Sequence, residues 1–256
     1  MSSVNKSITA AFGKTYVVAM TVGSAAKTTL ARHVLLPHTP DARIISVESA
    51  TPDEQATDLY QRSQTQAREM LRFELFARTP NDKIIDCGVT DSEMAAELLA
   101  EVANLGRARH ITVVLPVLVS AKGLKGLEHF GGLLPSGVRK VAVLTRVRDE
   151  ASAQKFLTGK VGAAVVQYCA EQGIDLCPIS FLNSDLLDSD AAVHAVALRG
   201  RTLEAVAALD LDALASQTAP DREHAAQFGL LLGAAAMAPA AIANAREIYE
   251  WVASRE

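Results

Sequence analysis

Lys27, Thr28 and Thr29 are the residues with the clearest chemical potential, because of what precedes them. The apolar run Tyr16–Val22 ends in the small residues Gly23, Ser24, Ala25 and Ala26, and the lysine and two threonines then open a helical stretch. A buried strand, a loop of small side chains and a helix start together make a phosphate cradle. Small residues let backbone N–H groups approach phosphate oxygens, and the helix N-terminus adds partial positive charge. Lys27 is placed to reach the outer phosphates, and the Thr28 hydroxyl to ligate a magnesium ion. The usual pattern of such loops places glycine where this chain has Thr21 and Ala26. The alanine is the more serious departure, because it restricts positive backbone angles.

Two carboxylates stand in comparable places. Asp86 closes the apolar run Lys83–Cys87, where a buried carboxylate needs a partner, which favours a metal-linked role. Glu48 follows Arg43–Val47 and can orient water, or equally cap a helix starting near Thr51-Pro52. Val89-Thr90-Asp91, after Asp86-Cys87-Gly88, is a candidate switch that senses a terminal phosphate. The six histidines show no metal-site spacing, and no Gly-x-Ser-x-Gly elbow is present.

These residues need a scaffold, and the chain supplies the pattern of one. The runs Tyr16–Val22, Arg43–Val47, Lys83–Cys87, Ile111–Val117, Val138–Leu144 and Ile174–Ile179 are rich in Val, Ile and Leu without strict alternation, as strands buried on both faces are. Helical periodicity lies between them, at Asp53–Ala77, at Ser92–Leu105 with Asp91 as a cap, and at Ser152–Glu171. The expected fold is α/β, a parallel sheet covered by helices on both faces. From about Ser184 the chain reads as Ala/Leu-rich helices with a break at Gln217–Pro220. The expected division is therefore 1–183, a nucleotide-binding α/β domain, and 184–256, a helical extension packed on it.

Composition bounds the rest. The chain has 256 residues, 49% of them hydrophobic and 5% aromatic, so it can bury a large, mostly aliphatic core. Three cysteines without a CxxC pair suit reduced thiols, and Met1–Lys14 lacks an apolar leader segment, so a cytoplasmic location is expected. Ala225–Ala245 carries no charge, but its alanines, glycines and Pro239 favour a buried or interface helix over a membrane span. The formal charge of -4 argues against wrapping nucleic acid with the whole surface. The basic clusters Lys122–Lys125, Arg139-Lys140 and Arg146–Arg148 leave a local, non-specific DNA contact open beside the simpler reading as solvated surface.

In order and spacing, these landmarks resemble the ParA/MinD family of deviant Walker A P-loop ATPases over about residues 14 to 182. Val22-Gly-Ser-Ala-Ala-Lys-Thr-Thr29 occupies the family's Lys-Gly-Gly-x-Gly-Lys-Thr-Thr loop. Arg43–Pro52 resembles its Asp-x-Asp-Pro strand, with Glu48 at the first acidic position. Lys83–Gly88 is similar to its Walker B strand, and Val113–Val117 to its Val-Val-Ile-Pro strand. Val141–Arg146 resembles the strand whose closing Asn-Arg contacts adenine, with Thr145 for Asn, and Cys177–Ser180 falls at the proline-bearing loop beside the base. Within the family the loop is most similar to that of StbB-like plasmid stability proteins.

The resemblance implies ATP and Mg2+ as cofactors, with phosphates on Gly23 to Thr29. It further implies base contacts from Thr145, Arg146, Pro178 and Ile179, magnesium at Thr28 and Asp86, and Lys27, Glu48 and Asp86 as catalytic residues. It also implies a homodimer, a plasmid-encoded protein partner and a nucleotide switch in plasmid maintenance, positioning or conjugative DNA transfer. Two departures weigh against turnover. The lysine that reaches the partner's nucleotide in dimeric members corresponds to Val22, and the second acidic residue to Ala50. Losing a fixed cation near developing phosphate charge removes about a thousandfold or more in related phosphoryl-transfer systems. The alternative is therefore a nucleotide-binding scaffold without useful hydrolysis, docking a partner through its C-terminal helices. A phosphoryl-transfer enzyme akin to dethiobiotin synthetase would need polar substrate residues at the strand ends, and no convincing set is present.

Overall fold

A computed structural model describes residues 13–23, 25–48, 59–61, 64–77, 79–181, 203–210, 212–213 and 222–254. Seven strands form one parallel sheet: β1 Thr15–Val18, β2 Arg43–Glu48, β3 Leu59–Gln61, β4 Lys83–Cys87, β5 Ile111–Leu118, β6 Arg139–Thr145 and β7 Asp175–Leu176. Their order is β3-β2-β4-β1-β5-β6-β7. The expected α/β class is the observed one.

Burial on both faces explains the unbroken apolar runs. Val17, Ile85, Val113, Leu115 and Ala142 face one core, shared with the helices α2 Gln64–Phe76, α3 Ser92–Asn104, α4 Ala121–Leu133 and α6 Lys160–Glu171. Tyr16, Val18, Ile84, Val114, Val141 and Val143 face the other. That second core is completed by the helical stretch that starts with α1 Lys27–Leu30 and passes through a π turn at Ala31–Leu35. It also takes in α7 Leu203–Ala207 and the long α8 Arg222–Ser254. Odd and even positions of each strand thus serve different helix layers, the arrangement a parallel sheet requires.

Several elements depart from the sequence expectation. The helix expected over 53–77 is shorter: Leu59–Gln61 pairs in parallel with Ser46–Glu48 as an edge strand, and α2 starts only at Gln64. Pairing with a neighbouring strand outweighs a short stretch of helical periodicity. The single helix expected over 152–171 is two, α5 Glu150–Thr158 and α6, separated by Gly159 in an extended conformation. A Cβ at Gly162 would lie 2.0 Å from the Phe156 carbonyl oxygen, so the junction depends on glycine there. Helix α4 has no counterpart among the expected elements because Gly123, Gly126, Gly131 and Gly132 depress helix propensity. Its start is fixed instead by Ser120, whose hydroxyl accepts from the Gly123 amide at 3.2 Å. Asp91 precedes α3, but its side chain does not cap that helix.

Helix α8 contributes Ala238, Ala245, Ile248 and Val252 to the second core. The Arg139 guanidinium donates to the Val252 carbonyl at 2.6 Å and the Asn244 amide to the Ser180 carbonyl at 3.0 Å. The charge-free stretch Ala225–Ala245 lies within α8, and among the described residues no helix is long and apolar enough to cross a membrane. The expected break at Gln217–Pro220 lies outside the described residues.

His33 in the π turn is held neutral. Burial, aided by the Arg32 charge and opposed by Glu204 of α7, moves its pKa down to about 4. The unfolded chain takes up a proton near pH 6.5 that the folded chain refuses, so stability is full above that pH and falls as pH drops toward 4. Urea unfolding at pH 7 and pH 4.5 should lose more free energy for the wild type than for His33→Gln. The difference should be at most about 3 kcal/mol; equal losses would refute the assignment.

Candidate functional site

The sheet's register creates the site. Val18 of β1 is paired with Asp86 of β4, so these two strands end side by side, with β5 on the far side of β1. Connections leave in opposite directions here, and the crevice beyond such carboxyl ends is where open α/β sheets bind ligands. Among the described residues the loop after β1 runs from Ala19 to Gly23 and resumes at Ala25. Ser24 lies outside the described residues.

Thr28, in the first turn of α1, donates its hydroxyl to Asp86 Oδ2 at 2.6 Å. Asp86 is 6% exposed, so this charge-assisted bond is shielded from water. Lys27 is half-buried; burial pulls its pKa below the ordinary lysine value, while the carboxylates of Asp86 and Glu48 act to keep it charged. Lys27, Thr28, Glu48 and Asp86, four of the residues expected from the sequence, therefore converge at the ends of β2 and β4. Thr29 follows on α1, half-buried.

The loop adopts its shape without the missing glycines. Ala26 sits in the left-handed region at φ 63°, ψ 32°, the conformation a glycine would take without strain. The Ala26 carbonyl still accepts from the Leu30 amide at 2.9 Å, the first bond of α1. Gly23 is different: its φ is not in the positive region, and a Cβ there would meet nothing within 4 Å. Packing within the chain does not require that glycine, which leaves open space on the loop where a phosphate would approach.

Three contacts brace the loop from behind. The buried Thr145 hydroxyl donates to the Ala25 carbonyl at 3.2 Å. Ser92 bonds the backbone of Met20. Val22, 7% exposed, packs on α4 where Gly126 leaves room; a Cβ on Gly126 would lie 2.1 Å from Val22 Cγ2. Thr145 thus spends its hydroxyl on the loop, and Val22 spends its side chain on the core. Sequence reasoning missed Ser92 and Gly126, since neither belongs to a motif and their partners lie far away in the chain.

The residues expected near a base lie at the end of β6, which β5 separates from β1. Arg146 follows β6 with φ 58° and is half-buried. Pro178 is exposed and Ile179 half-buried, in a segment pinned to β6 by the Cys177 amide on the Ala142 carbonyl and the Phe181 amide on the Leu144 carbonyl, both 2.8 Å.

The donor set suits a hard, six-coordinate cation shared with phosphate and water rather than one caged by protein. One hydroxyl and one carboxylate meet at Thr28 and Asp86, and among the described residues no group of three or more His, Cys, Asp or Glu side chains could hold a metal ion. Magnesium carried in with a nucleotide fits this pair.

No protein-family model matches the chain, and no curated protein matches it. Among solved structures, the apo form of McdA from Cyanthece is similar at a TM-score of 0.46 and 16% sequence identity, over 86% of this chain and 98% of that one.

The strain at Ala26 gives a direct test. Ala26→Gly should raise the unfolding free energy by about 1 kcal/mol, because glycine adopts φ near 63° without a Cβ clash. Chemical denaturation measures this, and a destabilised variant would show that the loop has another shape.

Proposed function

We propose that the chain binds Mg-ATP in the loop after β1 and acts as a ParA/MinD-like nucleotide switch with weak ATPase activity. Its setting in this reading is the cytoplasm, as an StbB-like protein of plasmid maintenance, positioning or conjugative DNA transfer. The observation that carries the reading is the Thr28–Asp86 hydrogen bond of 2.6 Å beside the half-buried Lys27, at the sheet's switch point. Gly23, half-buried with open space where a Cβ would stand, supports the same placement of phosphate.

The roles follow from position. The backbone of Gly23 to Thr29, with Ser24, Ala25 and Ala26 supplying N–H groups, cradles the β- and γ-phosphates, and Lys27 neutralises their charge. Thr28 and Asp86 hold magnesium, which when bound offsets charge on the phosphates. Glu48 orients water. Arg146, Pro178 and Ile179 border the base, and Thr145 acts by holding the loop. The chain works as a homodimer with a plasmid-encoded protein partner, and its basic clusters touch DNA phosphates without reading sequence. Residues 1–183 form the nucleotide domain and 184–256 its helical extension.

A second reading has a specific observation in its favour. Val22 occupies the place of the lysine that crosses to a partner's nucleotide, and it is packed against Gly126 rather than held free for exchange. A scaffold that binds nucleotide without useful hydrolysis, and docks its partner through the C-terminal helices, accommodates this directly.

Lys27→Ala should weaken Mg-ATP binding by about a hundredfold, the loss of one charge-assisted contact in a shielded site. Gly23→Val should weaken it comparably while leaving the unfolding midpoint unchanged. Single-turnover hydrolysis and light scattering then separate the readings. Product formation with ATP-dependent dimer mass supports the switch. Tight binding with no product and a mass indifferent to nucleotide replaces it with the scaffold.

A further inference from the structure

Ser92 lies at the start of α3, is fully buried, and belongs to none of the recognised motifs. Its hydroxyl oxygen accepts from the Met20 amide at 3.1 Å. The same oxygen lies 2.8 Å from the Gly88 carbonyl and 3.1 Å from the Met20 carbonyl. A hydroxyl has one hydrogen, so it can donate fully to only one of those two carbonyls at a time. The buried hydroxyl thus has two donor arrangements within the chain, one to each carbonyl.

The two carbonyls belong to different parts of the site. Met20 lies between β1 and the phosphate loop, and Gly88 is the first residue after β4, two beyond Asp86. Gly88 is wedged between two acidic side chains: a Cβ there would lie 3.0 Å from Asp91 Oδ2 and 3.2 Å from Glu48 Cγ. Its amide donates to the Val47 carbonyl at 2.7 Å. The turn at 88–91 is thus packed on Glu48 and bonded to the end of β2, and the Ser92 hydroxyl ties it to the root of the loop. A serine in the first turn of a helix ordinarily bonds within its own turn; this one also reaches a backbone 72 residues away.

We infer that Ser92 is a positioning residue that couples the phosphate loop to the turn after β4, its O–H turning between the Gly88 and Met20 carbonyls as the loop fills and empties. The coupling rests on the proposed binding of Mg-ATP to that loop. Ser92 touches no nucleotide and acts only through the backbone of Met20 and Gly88.

Hydrogen exchange on the full chain, with and without Mg-ATP and with ATP affinity measured in parallel, tests the coupling. In the wild type, Mg-ATP should slow exchange of the amides at 88–92 as well as those at 20–29. Without nucleotide, Ser92→Ala should speed exchange of the Met20 amide about tenfold, because its acceptor is gone. With Mg-ATP, Ser92→Ala should still bind and still protect 20–29, but lose protection at 88–92, beyond the direct reach of an ion on Asp86. Ser92→Thr, which keeps the hydroxyl, should restore it; Ser92→Cys, similar in size with a weakly bonding thiol, supplies the comparison if the alanine variant fails to fold. Protection at 88–92 that survives in both Ser92→Ala and Ser92→Cys overturns the coupling. A wild type that binds no Mg-ATP overturns the functional reading itself, and the coupling with it, a failure recognisable because it needs no variant.

Discussion

The side-by-side ending of β1 and β4 is the constraint on which the rest of the molecule depends. Because Val18 is in register with Asp86, the chain leaving β1 must turn over the end of β4, and the first turn of α1 brings Thr28 onto that carboxylate. A shielded carboxylate is costly without a donor, so the hydroxyl and the acid hold each other, and together they hold α1 against the sheet. Lys27 is carried to the same place by the same turn. The second core repeats the constraint from below, with Leu30, Ala31 and Val34 of the α1 stretch packed against Tyr16 and Val18.

The loop shows how such a site can be built with few glycines. The left-handed residue is an alanine, which costs about 1 kcal/mol relative to glycine, and the surroundings offset that cost. Thr145 grips the Ala25 carbonyl, Ser92 grips Met20, and Val22 fills the space that Gly126 leaves on α4. Gly126 supplies the room on α4 that seats Val22.

Much of the architecture was legible because strands buried on both faces leave unbroken Val/Ile/Leu runs, and six such runs correspond to strands of the observed sheet. The convergence of Lys27, Thr28, Glu48 and Asp86 was legible for the same reason, since residues at the carboxyl ends of neighbouring parallel strands must meet. What escaped depends on partners distant in sequence. The edge strand Leu59–Gln61 exists through its pairing with Ser46–Glu48. Helix α4 is rich in glycine because another segment approaches it closely. Ser92 has meaning only beside Met20, and the Thr145 hydroxyl only beside Ala25. Asp91 read as a helix cap from its neighbours, yet its carboxylate lies against Gly88.

Titration calorimetry of ATP into the full chain, once with magnesium and once with a chelator, tests the central claim most directly. A site built on Thr28 and Asp86 requires saturable, one-site binding that weakens at least about tenfold when the ion is withheld. Absence of heat under both conditions, or equal affinity with and without magnesium, would contradict the account.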